Sequence, residues 1–181
     1  AFDARWRRVL DCIELRTPDR MPVALFASFW MARYGDISCQ RLMYDYEHTK
    51  ELALRASQEF DPDLVSVGMV SSSIYGPTLE LMDFKQLQWA GHGVGENQPY
   101  QYLDREYMSN DEYDDFLGDP TGFYLRRYLP RIGGAFAGLA EMPVLPGMHY
   151  FRLVAGLRGF AKPGVKEALQ NLIKVAEEAE V

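Results

Sequence analysis

The stretch from Asp45 to Val70 constrains the fold more than any other part of the chain. Asp45 to Phe60 sets Leu52, Leu54 and Ala56 among charged residues, and the spacing predicts a helix. Asp61-Pro62-Asp63 closes it, because proline ends a helical pattern. Leu64 to Val70 then runs apolar over the length of a buried strand, with Leu64, Val65 and Val67 on it. Upstream, Pro22 to Phe26 is a second strand-length apolar run. The order strand, helix, turn, strand is the βαβ rhythm of a parallel sheet, and the expected class is α/β.

The flanks read as follows. Residues 3 to 15 predict an amphipathic helix, with Phe2, Trp6, Val9, Leu10 and Ile13 at helical spacing and Asp3 as its cap. Thr17-Pro18-Asp19 marks a turn. Tyr34 to Ser38 reads as loop. From Ser71 to Asp104 the pattern turns irregular: Ser71-Ser72-Ser73 and Gly76-Pro77 suggest loop, and Leu79–Asp83 and Leu87–Ala90 suggest short strands. The run Gly91 to Pro99 is too rich in Gly and polar groups for a regular element, and long irregular stretches in compact domains often carry function. Helices are expected near Ser109–Leu117 and Pro120–Tyr128, with Pro130 as an interruption and Arg131–Ala140 as a separate helix. Pro143–Met148 reads as extended, Tyr150–Phe160 as helix. The last helix, Pro163–Glu180, has one apolar face made by Val165, Ala168, Leu169, Leu172, Ile173 and Ala176.

The chain of 181 residues carries a net charge of −7 with His neutral. That balance disfavours nucleic acid, which needs a basic face. No apolar run approaches a membrane span. Cys12 and Cys39 form no CxxC pair and no disulfide framework, so a reducing, cytoplasmic setting is expected.

Generic motifs are absent. There is no phosphate loop and no nucleophile elbow, and Gly91-x-Gly93-x-Gly95 precedes no helix. His48 reads as a surface residue. His92, in the Gly-rich stretch, and His149, after Pro146-Gly147-Met148, are candidate catalytic groups, since an imidazole transfers protons near neutrality. The ligands of a metal site are not in evidence, and no metal residue is assigned. Arg33, beside Tyr34 just past the first strand run, is a candidate grip for a carboxylate. The acids between Tyr100 and Tyr113 read more easily as a helix face and its caps than as an acid–base pair.

Several short phrases, in order along the chain, suggest a family. Pro18-Asp19-Arg20-Met21-Pro22-Val23 after an amphipathic helix, then Glu59-Phe60-Asp61-Pro62-Asp63-Leu64-Val65, resemble the N-terminal region of the uroporphyrinogen decarboxylase superfamily. Gly91-His92-Gly93, Asn97-Gln98-Pro99, Gln101-Tyr102, Glu106-Tyr107-Met108 and Asp111-Glu112-Tyr113 resemble a divergent, uroporphyrinogen-decarboxylase-like branch of anaerobic bacteria. The resemblance spans most of the chain. It implies the N-terminal portion of a (β/α)₈ TIM barrel, with the site at the C-terminal ends of the strands and an irregular insertion around 71–105. The barrel is not closed by two to four strands, so the expectation is a part of a larger domain; a smaller complete α/β domain is the alternative.

The resemblance also implies a site: Arg33, Tyr34, Met69, Gln98 and Tyr102 toward substrate. Two departures shape the activity expected. The place of the family's catalytic acid falls at Met69 or Val70, where no acid stands. Its Arg-rich signature is reduced to Met31-Ala32-Arg33-Tyr34. Both disfavour decarboxylation of uroporphyrinogen, a carboxylate-rich substrate, and favour the related corrinoid-linked methyltransferases. A zinc ion and a corrinoid would then belong to the complete protein, with the zinc ligands beyond Val181. The remaining alternatives are a cofactor-free decarboxylase (a lyase) acting on a porphyrinogen and a non-catalytic tetrapyrrole-binding fragment. The expected partners are a small-molecule or corrinoid-protein substrate and the remainder of the barrel or a second copy, with no nucleic acid and no membrane.

Overall fold

The computed structural model describes residues 2–65, 75–145 and 150–180. It is a mixed helix and strand structure with small sheets. The chain divides into two compact units, Ala1–Gly76 with Trp89–Pro99 and Pro77–Gln88 with Tyr100–Val181.

The first unit begins with α1, Phe2–Ile13. A two-residue strand β1, Ala24–Leu25, follows. Two short helices come next, α2 at Trp30–Tyr34 and α3 at Cys39–Tyr44. The sequence reading places neither, because each spans under two turns and shows no periodicity. Stop and start signals are nonetheless present. Gly35 ends α2, and the Ser38 hydroxyl caps α3 by accepting the Arg41 N–H at 3.0 Å. Helix α4, Tyr46–Phe60, starts on Asp45, whose carboxylate accepts the His48 N–H at 3.2 Å. It ends at Asp61 in the left-handed conformation (φ 45°), with Pro62 behind it.

Strand β2, Leu64–Val65, pairs parallel with β1: Ala24 lies opposite Leu64 and Leu25 opposite Val65. The βαβ order is therefore present within this unit. Its core is helical. Met31, Leu42, Met43, Leu52 and Ala56 are buried where α2, α3 and α4 meet. Thr49 is buried with them, and its hydroxyl donates to the Leu42 carbonyl at 2.8 Å, closing α3 onto α4. Helix α1 buries no residue, and Phe2, Trp6 and Ile13 of its apolar face stand in solvent.

In the second unit, of the segment expected as a strand, Leu79–Asp83, all but the turn residue Asp83 is instead the end of α5, Gly76–Met82. Gly76-Pro77 is a helix start here, not a loop, since proline suits the first helical turn. Strand β3, Leu87–Ala90, agrees with the sequence reading. Strand β4, Gly93–Val94, belongs to the first unit and β5, Tyr100–Tyr102, to the second; both are short pieces inside the irregular stretch.

Ser109 and Glu112 form a capping box over a 3₁₀ turn, Asn110–Glu112, that runs into α6, Tyr113–Gly118. Helix α7, Pro120–Phe123, is capped by Asp119. It continues through a π turn, Tyr124–Tyr128, into α8, Leu129–Ile132. Pro130 therefore does not interrupt the helix. Proline has no N–H to give a carbonyl one turn back, and the wider π register, with the Leu129 N–H on the Tyr124 carbonyl, absorbs that loss.

A 3₁₀ helix, Gly134–Glu141, packs on the last helix, α10, Pro163–Glu178; between them lies α9, Tyr150–Leu157, with a 3₁₀ turn at Arg158–Ala161. The core of this unit is Leu129, Ile132, Phe136, Leu139 and Ala168. The approach of the 3₁₀ helix to α10 is very close. A Cβ on Gly138 would lie 1.9 Å from the Gly164 carbonyl oxygen. No helix among the described residues is long and apolar enough to cross a membrane.

Candidate functional site

Parallel α/β folds place their sites where the chain leaves the C-terminal end of a strand. Here that segment runs from Phe26 into α2 and carries Arg33 and Tyr34. The two neighbours have different fates.

Tyr34 is bonded between α2 and α4. Its ring stacks on Trp30 at 4.9 Å and 19°, and the Arg55 guanidinium covers it at 4.5 Å. The phenol donates to Glu59 and accepts from Arg55 Nε at 3.2 Å. The bond to Glu59, and then burial, hold the phenol above its usual range. The tyrosine thus clamps α2 to α4.

Arg33 is exposed, and its guanidinium has no hydrogen bond or ion pair among the described residues. It lines a cleft of about 470 Å³ with Ala32, Asp36, Ile37, Cys39 and Asn97. Ala32 and Cys39 are buried and Ile37 half-buried, so the floor is apolar. Burial pushes the Cys39 thiol up, which keeps it protonated and makes it a packing group here. Its Sγ donates to the Asn97 carbonyl at 3.4 Å, and the Gln40 N–H donates to the Glu96 carbonyl at 2.9 Å. These two bonds bring the 95–98 turn to the rim of the cleft. Asp36, in a left-handed conformation (φ 52°), and Asn97 join Arg33 there. Sequence reasoning names Arg33 but not Asp36 or Asn97 as its companions. The signal for Asn97 is its place in the Asn97-Gln98-Pro99 phrase.

Gln98 acts locally. Its Oε1 accepts the Gly95 N–H at 2.9 Å, and its own N–H donates to the Gly95 carbonyl at 2.9 Å. The residue closes the turn that presents Asn97. His92 sits on a tighter turn, donating its N–H to the Trp89 carbonyl at 2.7 Å. Its imidazole stacks on the Trp89 indole at 4.9 Å and 18°, and lies near-parallel to Tyr44 at 6.2 Å. Trp89 Nε1 donates to the Tyr44 hydroxyl at 3.1 Å. Gly91 makes this turn possible. It has φ 80°, and a Cβ there would meet the Gln40 side chain at 2.1 Å.

Tyr102 belongs to the second unit, where it is exposed and lines a cleft of about 590 Å³ with Gln86, Gln101, Asp104, Arg105 and Tyr107. Met69 and His149 lie outside the described residues. The structure thus gathers Arg33 with Asp36 and Asn97. Tyr34, Gln98 and His92 also make contacts with nearby residues of the first unit.

Two ionic clusters are built from other residues, one in each unit. Asp63 has a fully buried side chain that accepts from Arg20 at 2.5 and 2.9 Å, from Arg8 at 2.6 Å and from the Val23 N–H at 3.0 Å. The Val23 amide, with Arg20 and Arg8, holds the carboxyl down to about 2. Glu112 is buried under Arg131, at 2.7 and 2.5 Å, and Arg127, at 3.2 Å. Arg131, then the Ser109 N–H, holds it well below the usual carboxylate range. Both carboxylates are locked as anions by cations and amides, which suits structure and not proton transfer. The reading of the acids near Tyr100–Tyr113 as caps fits Glu112; its pairing with Arg131 has no signal in the sequence.

Comparison with protein families, curated proteins and solved structures finds no match to this chain. The functional reading therefore stands on residues and geometry.

Proposed function

We propose that this chain is the N-terminal part of a uroporphyrinogen-decarboxylase-like (β/α)₈ barrel whose complete form is a corrinoid-linked methyltransferase-type enzyme, with Arg33 gripping a carboxylate of the methyl acceptor. The observation that carries this is the bare βαβ unit with Arg33, unpaired among the described residues, on the connection after its first strand. Parallel strands are normally covered on both faces and flanked by further strands. Here Leu64 and Val65 are 39% and 48% exposed and Phe26, just past β1, is 67% exposed. Apolar strand residues in that state are what a larger sheet would cover. Arg33 then falls on the connection after the first strand, the side on which barrels hold their sites.

The choice of methyl transfer over decarboxylation rests on charge. Arg33 is the single arginine left in the Met31–Tyr34 phrase, and neither Met69 nor Val70 is an acid. A substrate with many carboxylates needs more cations than that. Among the described residues no group of three or more His, Cys, Asp or Glu is placed to hold a metal ion. The described residues do not fit a zinc site.

The test is methyl transfer from methylcobalamin to two thiols by the full-length protein: 3-mercaptopropionate, which bears a carboxylate, and 2-mercaptoethanol, which does not. The expected result is turnover of both, with Arg33→Gln raising KM for the charged thiol alone. Absence of turnover with either thiol overturns methyl transfer. An equal effect on both thiols overturns the role of Arg33.

A further inference from the structure

The Arg33 cleft holds more than a cation. Asp36 stands three residues on, with its carboxylate free of any hydrogen bond or ion pair among the described residues, and it makes no ion pair with Arg33. Opposite charges three residues apart that do not engage each other leave two separate anchoring points on one rim. The Asn97 side chain, likewise without a partner among the described residues, adds an amide that both donates and accepts. Beneath them the floor is Ala32, Ile37 and the protonated Cys39. The cleft volume falls within the range of small-molecule sites.

We infer that this cleft takes a small aliphatic α-amino acid, its carboxylate on Arg33 and Asn97, its ammonium on Asp36, and its side chain on the Ala32–Ile37–Cys39 floor. The inference rests on the reading of Arg33 as a carboxylate grip and adds the ammonium site. A simple carboxylic acid would leave Asp36 unanswered and near the ligand's own negative charge. A simple amine would leave Arg33 unanswered. Only a ligand with both charges and an apolar tail uses all three surfaces. The rim needs no rearrangement within its own turn, because Cys39 and Gln40 already fasten the 95–98 turn to α3.

The experiment is titration calorimetry of the full-length protein with three probes of one carbon skeleton: L-norleucine, hexanoate and pentylamine. Norleucine should bind about tenfold or more tightly than either single-charge probe, as expected for one lost charge-assisted contact. Asp36→Asn should erase the preference of norleucine over hexanoate, and Arg33→Gln should weaken both. Both side chains are exposed and unbonded, so the variants should melt with the wild type; the three-probe comparison on the unaltered chain needs no variant at all. Equal binding of hexanoate and norleucine, both weakened by Arg33→Gln, overturns the ammonium site and leaves the carboxylate grip standing. Failure of all three probes to bind overturns both.

Discussion

Asp63 accepts both terminal nitrogens of Arg20, at 2.5 and 2.9 Å, and so ties the turn before β1 to the turn before β2. Arg8 completes the lock. It reaches Asp63 with one nitrogen and grips Asp19 with two others, at 2.6 and 2.8 Å. The same carboxylate accepts the Val23 N–H, while the Asp63 N–H donates to the Val23 carbonyl at 2.8 Å. The phrase around Asp19-Arg20 and the phrase around Asp61-Pro62-Asp63 are thus two halves of one fastening that sets the β1–β2 register.

The fastening should fail in acid. With the Asp63 carboxyl held at about 2, against an ordinary value of 3.8, its contribution is complete above about pH 4. It is lost as the pH falls from about 4 through about 2, because the unfolded chain takes up the proton first. Asp63→Asn should lower the melting temperature at pH 7 and flatten its decline between pH 4 and 2. Thermal melts of both proteins across that range check this; parallel curves for the two would contradict it.

Arg131 and Arg127 both reach Glu112, with unequal consequences. Arg131 makes a two-point contact and also donates to the Tyr107 carbonyl at 2.8 Å. Arg127 makes one longer bond to Glu112 and shares its charge with Asp115. Arg131→Ala leaves a buried carboxylate and a backbone carbonyl short of donors, whereas Arg127→Ala leaves Glu112 with its better partner. Separate urea titrations of the two variants should place the Arg131→Ala midpoint clearly below that of Arg127→Ala. The reverse order would mean that the two-point contact is not what holds the Ser109–Glu112 cap.

How much of this is legible in the sequence depends on length and on distance along the chain. Helices α1, α4 and α10 are readable because each is long enough to show its apolar period. Helices α2 and α3 are not, because five or six residues cannot show one. Leu79–Asp83 reads as strand yet folds as helix through Met82: a short apolar run fits either element, and Pro77, taken as a loop marker, is the helix's start signal. At the site, Arg33 stands out through its neighbours in sequence. Asn97 is brought to it by bonds between residues more than fifty positions apart, and no local pattern encodes those. The Asp63 lock is visible in the sequence only as two separate phrases.

Gly138 is where backbone packing is least forgiving. With the Gly164 carbonyl 1.9 Å from any added Cβ, Gly138→Ala must separate the 3₁₀ helix from α10 and disturb Phe136 and Leu139 beside it. Overpacking of this kind costs about 1–3 kcal/mol. Gly118 is the control, since a Cβ there meets nothing within 4 Å. Chemical denaturation should show a marked loss for Gly138→Ala and almost none for Gly118→Ala. Equal effects would show that the close approach of the two helices does not limit stability.

His92 offers a last test, because its geometry separates the work of a flat ring from the work of an imidazole. The stack on Trp89 at 4.9 Å needs only the ring. His92→Phe should keep that contact, and His92→Ala should lose it at about 0.5–1.5 kcal/mol, the usual worth of an aromatic pair. The near-ultraviolet circular dichroism of Trp89 should follow the same order, with the wild-type band retained in His92→Phe and weakened in His92→Ala. A proton-transfer role makes a different demand. It requires a nitrogen that can carry the proton, so His92→Phe would fold normally yet lose turnover in the methylcobalamin assay. Retained turnover in a stable His92→Phe protein is the expected outcome, and it would assign His92 to holding the 89–94 turn that leads into the Asn97 rim.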